Sequence, residues 1–268
     1  MASVLTSPMT LKGENLPACA RVLGVPVHSV DALGTIACMS RWIEERGRTR
    51  WIAVTSSHGI VEGFKKADFR NIIESASLSV PDGMWTAQVA GKKLSSLPRR
   101  VRGADLLLEF CELAHQKGYS NYFYGDTDEV LGALDSRLRN QFPSLKIAGT
   151  FSPPFRALTP EEDAEIVRCI NEARPDVLWV GLGLPKQERW IYEHRDRLKV
   201  PVIVAVGAAF KFVAGTVKAA PRPVSNLGLE WFWRLLREPK KCWHRALVYG
   251  PQFALHSYLE LKGFRKYD

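Results

Sequence analysis

The chain has 268 residues, 46% of them hydrophobic and 24% charged, and a chain this apolar buries a sizeable core, which excludes disorder as its dominant state. Lysine and arginine outnumber aspartate and glutamate 37 to 28, a formal net charge of +9. Such an excess calls for an anionic partner, whether phospholipid, polyphosphate or nucleic acid.

Residues 1–19 read as a leader with no positively charged n-region, so no secretory signal is expected. Residues 21–27 (RVLGVPV) predict a strand, and residues 31–46 a helix with Leu33, Ile36, Ala37 and Met39 on its apolar side. Strands follow at 50–55 and 78–81, a helix at 105–116, a strand at 121–125, a helix at 128–142 and a strand at 145–151. Thr159-Pro160-Glu161-Glu162 is a capping box with proline at the first helical position, opening a helix to about residue 173. Residues 176–181 and 200–207 are near-continuous apolar runs of the kind covered on both faces of a sheet. This alternation predicts an α/β fold, a Rossmann-like parallel sheet with helices on both faces, spanning residues 20–215.

Beyond Gly215 the strands give out. The last 53 residues hold nine aromatics, and ten basic residues against four acids, so +6 of the net charge lies in the final fifth of the chain. Leu229, Phe232, Trp233 and Leu236 recur at helical spacing beside a polar stripe of Glu230, Arg234 and Arg237, and Pro239 ends that helix and opens another. Residues 216–268 therefore form a helical appendage, aromatic on one side and basic on the other. The longest charge-free stretch, residues 246–259, has 14 residues, short of the roughly 20 a membrane span needs. The five cysteines include no CxxC pair and read as free thiols in a reducing compartment, with neither disulfide frame nor zinc cluster.

Ligands of open α/β sheets bind beyond the carboxyl ends of the strands, which singles out four places. Asp82, in Val80-Pro81-Asp82-Gly83, could act as a general base, although Pro-Asp-Gly is also a favoured turn sequence. Residues 181–188 (GLGLPKQE) run from a strand through a glycine turn into a helix. Free N–H groups there, with Lys186, suit a diphosphate; a plain connecting loop would look the same. Asp126 and Asp128 could hold Mg²⁺, or Asp126 or Thr127 could simply cap the next helix. Lys92, Lys93, Arg99, Arg100 and Arg102 could grip a phosphate or face water. His58 reads as a hydrogen-bonded bystander.

Seven marks occur in one order: Val54-Thr55; Val80 to Gly83; residues 100–106 (RVRGADL); residues 180–188 (VGLGLPKQE); residues 206–210 (VGAAF); Val213-Ala214-Gly215; and residues 227–231 (LGLEW), with Arg234 and Glu238-Pro239 beyond. Together they resemble the WecG/TagA/CpsF glycosyltransferases over roughly residues 21–245. The resemblance implies an inverting, UDP-sugar-dependent hexosyl- or N-acetylhexosaminyltransferase acting on a polyprenyl-diphosphate-linked sugar, without a required metal or other cofactor. It implies a peripheral enzyme on the cytoplasmic face of the cell membrane, its appendage meeting an anionic lipid surface, in the making of a cell-surface polysaccharide or exopolysaccharide. No nucleic-acid partner follows from it, and homo-oligomerisation is left open. Carried over, Asp82 is the general base and Thr55 a contact near the sugars. Gly125, Gly181, Gly183, Pro185, Lys186, Gln187, Glu188, Gly207, Ala208 and Phe210 line the donor site, and Arg100, Arg234 and Arg237 meet the acceptor diphosphate. Two positions depart from the family pattern: Ser57, where asparagine is frequent, and Lys211, where aspartate is. Both leave the donor sugar open. A non-catalytic nucleic-acid-binding protein, using the basic aromatic tail on phosphates and bases, is the rival reading.

Overall fold

The computed structural model describes residues 16–97 and 99–267. The first fifteen residues of the expected leader lie outside them. Among the described residues eight strands and thirteen α-helices follow one another: β1 (Cys19–Val22), β2 (Val25–His28), α1 (Ala32–Glu45), β3 (Arg50–Thr55), α2 (Ser57–Lys65), α3 (Ala67–Glu74), β4 (Leu78–Pro81), α4 (Met84–Lys93) and α5 (Gly103–Lys117). Then come β5 (Ser120–Gly125), α6 (Asp128–Gln141), β6 (Lys146–Phe151), α7 (Pro160–Ala173), β7 (Val177–Gly181), α8 (Lys186–His194), β8 (Val202–Ala205) and α9 (Ala209–Ala214). The chain ends in α10 (Arg222–Asn226), α11 (Glu230–Arg237), α12 (Pro239–His244), a π-helical turn (Arg245–Tyr249) and α13 (Gly250–Leu261).

Six strands form one parallel sheet in the order β4-β3-β8-β7-β5-β6. The central strands β3, β7 and β8 are buried along their whole length, as their unbroken apolar runs require, whereas the edge strand β6 has no buried residue. Side chains alternate across the pleat and divide the interior in two. Ile52, Val54 and Trp179 pack on one face with α1 and α5; Trp51, Ala53, Leu178 and Val180 pack on the other with α2, α3 and α7. The Trp179 indole N–H donates to Asn121 Oδ1 at 2.9 Å, so this fully buried ring brings no orphan donor into the core.

Two local expectations change. The single strand expected at 21–27 is a hairpin, β1 pairing antiparallel with β2. Leu23 and Gly24 take φ of +50° and +80°, the paired positive values of a two-residue turn whose twist matches that of the strands. The second difference is the pair α2 and α3, which carries Ile60, Val61, Phe69, Ile72 and Ile73 into the core. Gly59 and Gly63 weaken the helical signature of α2. Gly63 is there because its backbone lies against β2: an added Cβ would stand 2.8 Å from Val25 Cγ2.

The C-terminal helices pack onto the parallel-sheet core. Phe253 and Tyr267 join the apolar cluster that holds Ile60 and Val61. Glu260 is buried where its carboxylate accepts from the Leu23 amide at 3.2 Å and pairs with Lys93 at 2.7 Å. Nearer the sheet, the Trp85 indole donates to the Gly228 carbonyl, and the Tyr249 hydroxyl donates to Glu62.

Candidate functional site

The strands β3, β4, β7 and β8 end at the floor of a cleft of about 680 Å³, and α11, the π-helical turn and the start of α13 close it from above. From the sheet come Ser57 and His58 after β3, Asp82 and Gly83 after β4, Gly183 and Gln187 after β7, and Gly207 and Ala208 after β8. The appendage adds Trp231, Arg234 and Arg245.

Asp82 is fixed by its backbone. Its N–H donates to the Thr55 carbonyl at 3.0 Å, and its own carbonyl accepts from Arg100 Nε at 3.1 Å. The carboxyl group is crowded by protein and lines the cleft, and loss of hydration raises its pKa; Arg245 opposes that rise, Glu230 adds to it, and Arg100 and the Gly103 amide oppose it. A carboxylate raised in this way is a better proton acceptor near neutral pH than an exposed aspartate.

Positive charge faces it. Arg245 lies on the π-helical turn, a rare geometry that recurs at functional sites. Partial loss of hydration where it meets the cleft and the neighbouring Arg234 lower its pKa, while Asp82 and Glu230 favour the cation, and the residue as a whole remains exposed. Arg234 rests on the Phe212 ring, 5.4 Å from its centroid, and its buried Nε has no hydrogen-bond partner among the described residues. His58, edge-on to Tyr249 with ring centroids 4.1 Å apart, is held neutral: desolvation and the charge of Arg245 push its pKa down to about 4.

The other sequence-predicted residues are placed differently. Thr55 is 2% exposed and its hydroxyl is engaged with Ser79 Oγ at 2.8 Å, below the floor rather than on it. Gly125 and Gly181 are paired at the ends of the neighbouring parallel strands β5 and β7, where space is tight: a Cβ on Gly125 would stand 2.7 Å from the Gly181 carbonyl carbon, and one on Gly181 2.6 Å from the Phe210 ring. Phe210 is buried against Phe123. Pro185 precedes α8, whose first residue, Lys186, is exposed, and neither lines the cleft. Arg100 is already occupied, donating to the Ser225 carbonyl and pairing with Glu230 at 2.6 Å. Arg237 stacks on Trp233 at the surface.

The expected diphosphate cradle in residues 181–188 also differs. The Gly183 and Gly207 N–H groups both donate to Gln187 Oε1, at 3.2 and 2.9 Å, so neither is free for a ligand. Beyond β5, Thr127 caps α6 by accepting from the Val130 amide, and Asp126 pairs with Lys211 at 3.5 Å. The basic cluster is split among acids: Lys93 meets Glu260, Arg99 meets Asp31, and Arg102 meets Glu230. Arg245 is a cleft residue that the sequence did not single out, and His58, read there as a hydrogen-bonded bystander, also lines the cleft. Arg245 stood among the tail's basic residues, with no signal to separate it from the others.

The family model for the glycosyl transferase WecG/TagA/CpsF family matches residues 20–267. The chain belongs to that family. A relative from Bacillus subtilis (strain 168) is 30% identical over 191 residues, covering 71% of this chain and 72% of its own length. Another, from Staphylococcus aureus (strain MW2), is 26% identical over 234 residues, covering 87% of this chain and 90% of its own. Both bear the name N-acetylglucosaminyldiphosphoundecaprenol N-acetyl-beta-D-mannosaminyltransferase. As a WecG/TagA/CpsF protein the chain is a glycosyltransferase, and the match runs through the appendage to residue 267, so the helices that roof the cleft belong to the family unit.

Proposed function

We propose that this glycosyltransferase moves a hexose or N-acetylhexosamine from a UDP-sugar, with inversion, to a sugar carried on a polyprenyl diphosphate. The observation that supports it is the meeting of Asp82 with Arg234 and Arg245 in one cleft at the carboxyl ends of four strands. In the reaction Asp82 takes the proton from the acceptor hydroxyl as its oxygen bonds to the anomeric carbon. The bond from that carbon to the UDP oxygen breaks, and negative charge builds on the departing diphosphate. Arg234 and Arg245 supply preorganised positive charge for the diphosphates in the cleft, an effect that needs no metal ion. The names of the relatives favour an N-acetylmannosaminyl donor and an N-acetylglucosaminyl diphospholipid acceptor.

A lipid-borne acceptor brings the enzyme to a membrane, and the appendage carries a fitting surface. Leu236, Trp243 and Leu247 are 65%, 52% and 59% exposed, with Trp231 and Phe232 beside them on the same run of short helices. Aromatic side chains favour the membrane interface, and each basic residue near an anionic leaflet adds about 1 kcal/mol. No helix among the described residues is long and apolar enough to cross a bilayer. We therefore place the protein as a peripheral enzyme on an anionic cytoplasmic leaflet, serving the synthesis of a cell-surface polysaccharide. The match to a glycosyltransferase family disfavours the nucleic-acid reading.

The test is UDP release from a panel of UDP-hexoses and UDP-N-acetylhexosamines, with and without a lipid diphosphate bearing N-acetylglucosamine, in buffer containing EDTA. Acceptor-dependent release is expected. Release that is indifferent to the acceptor, or none with any donor, rejects the assignment.

A further inference from the structure

Gln187 lines the cleft, yet it is 3% exposed and its side-chain amide is bonded at both ends. Oε1 accepts from the Gly183 and Gly207 amides, tying the loop after β7 to the loop after β8. Both glycines hold positive φ, +79° and +57°, a conformation open to glycine, and the shared acceptor fixes where the two loops stand relative to each other. Nε2 donates to Glu188 Oε1 at 2.9 Å.

The two ends of a primary amide have almost the same shape but opposite hydrogen-bonding character. Rotated by half a turn, Gln187 would set an NH2 group against two N–H donors and leave all of them unsatisfied. The glycine amides and the partner at the other end select the same orientation. That partner is Glu188, 1% exposed, whose oxygen accepts and so selects the orientation that serves the glycines.

We propose that Glu188 is a positioning residue for sugar transfer: its carboxyl group orients the Gln187 amide, and through it fixes the Gly183 and Gly207 loops that shape the donor side of the cleft. The inference rests on the UDP-sugar reading above. It differs from a plain packing role because it depends on an acceptor oxygen at position 188 and on the direction of one hydrogen bond.

The test compares Glu188→Gln, Glu188→Leu, Gln187→Glu and the exchange Gln187→Glu/Glu188→Gln in the full chain. Donor and acceptor KM, kcat and calorimetric UDP affinity are measured for each, and the amide resonances of Gly183 and Gly207 are followed in glycine-labelled protein. Glu188→Leu is expected to weaken UDP binding and raise donor KM at least tenfold, leave acceptor KM within twofold, and shift both glycine resonances; Glu188→Gln, which keeps an acceptor oxygen, recovers most of the loss. Gln187→Glu sets two carboxyl groups together and loses at least tenfold. The exchange recovers it, because a carboxylate then accepts from both glycines while the amide placed at position 188 donates to it. An exchange no better than Gln187→Glu alone, or glycine resonances in Glu188→Leu that match the parent, overturns the inference. A parent protein that neither binds UDP nor turns over a UDP-sugar overturns the donor reading instead, and the glycine resonances still report on the Gln187 orientation without any nucleotide.

Discussion

Replacing Glu188 by glutamine should change how stability depends on pH. Burial drives the Glu188 pKa from an ordinary 4.5 up to about 7, with only the Gln187 side chain and a backbone amide pulling it down, and its Oε2 atom has no hydrogen-bond partner among the described residues. The folded state therefore holds this proton more tightly than the unfolded chain. Below about pH 4.5 both states carry it and the contribution to stability is complete; between about 4.5 and 7 the unfolded chain gives it up first and stability falls; above 7 the loss is full. At about 1.4 kcal/mol per pH unit over that interval, the total is of order 3 kcal/mol. Denaturant unfolding of the parent and the Glu188→Gln variant at steps from pH 4.5 to 8.5 reads it directly. The difference between the two proteins should move in favour of the variant by roughly that amount across the range. A difference that stays constant with pH would show that Glu188 does not carry a raised pKa, and would refute the reasoning.

Further predictions concern the cleft and the surface. Arg245→Met should lower kcat at least tenfold and move the acidic limb of the pH–rate profile to higher pH, because Arg245 is the largest of the influences that hold the Asp82 pKa down; an unmoved limb would detach Arg245 from the base. Leu236→Ser with Trp243→Ser should reduce sedimentation with anionic vesicles severalfold while turnover of a short-chain, water-soluble acceptor stays near the parental level; equal sedimentation would remove this face from membrane contact. Gly181→Ala should destabilise the protein by about 1–3 kcal/mol, since its Cβ would stand 2.6 Å from the buried Phe210 ring; an unchanged midpoint in denaturant would contradict that packing.

The sheet was legible because its central strands are unbroken apolar runs and because Thr159 gives a clear helix start that caps as expected. The hairpin and α2 were not, since Leu23-Gly24 looks like strand interior and Gly63 answers to a contact with β2 that no local pattern records. The turn after a strand placed Asp82 at the ligand end of the sheet, where it does line the cleft, but a plain Pro-Asp-Gly turn would look the same and it was the family resemblance that named it as the base. Its partner Arg245 was hidden, for charge composition counts arginines without saying which one a π-helical turn aims into a cleft. Gly125, Gly181 and Phe210 carried real constraint of another kind: they pack the floor from beneath. Arg100 appeared as free charge, but Ser225 and Glu230, more than a hundred residues away in sequence, occupy it.

The most direct measurement is single-turnover sugar transfer by Asp82→Asn, with saturating UDP-sugar and lipid diphosphate acceptor, alongside calorimetric UDP affinity. Loss of the proton acceptor with the cleft intact predicts a rate at least about a hundredfold below the parent and a UDP affinity within a few-fold of it. A variant that transfers sugar at close to the parental rate would contradict Asp82 as the base and the account built on it.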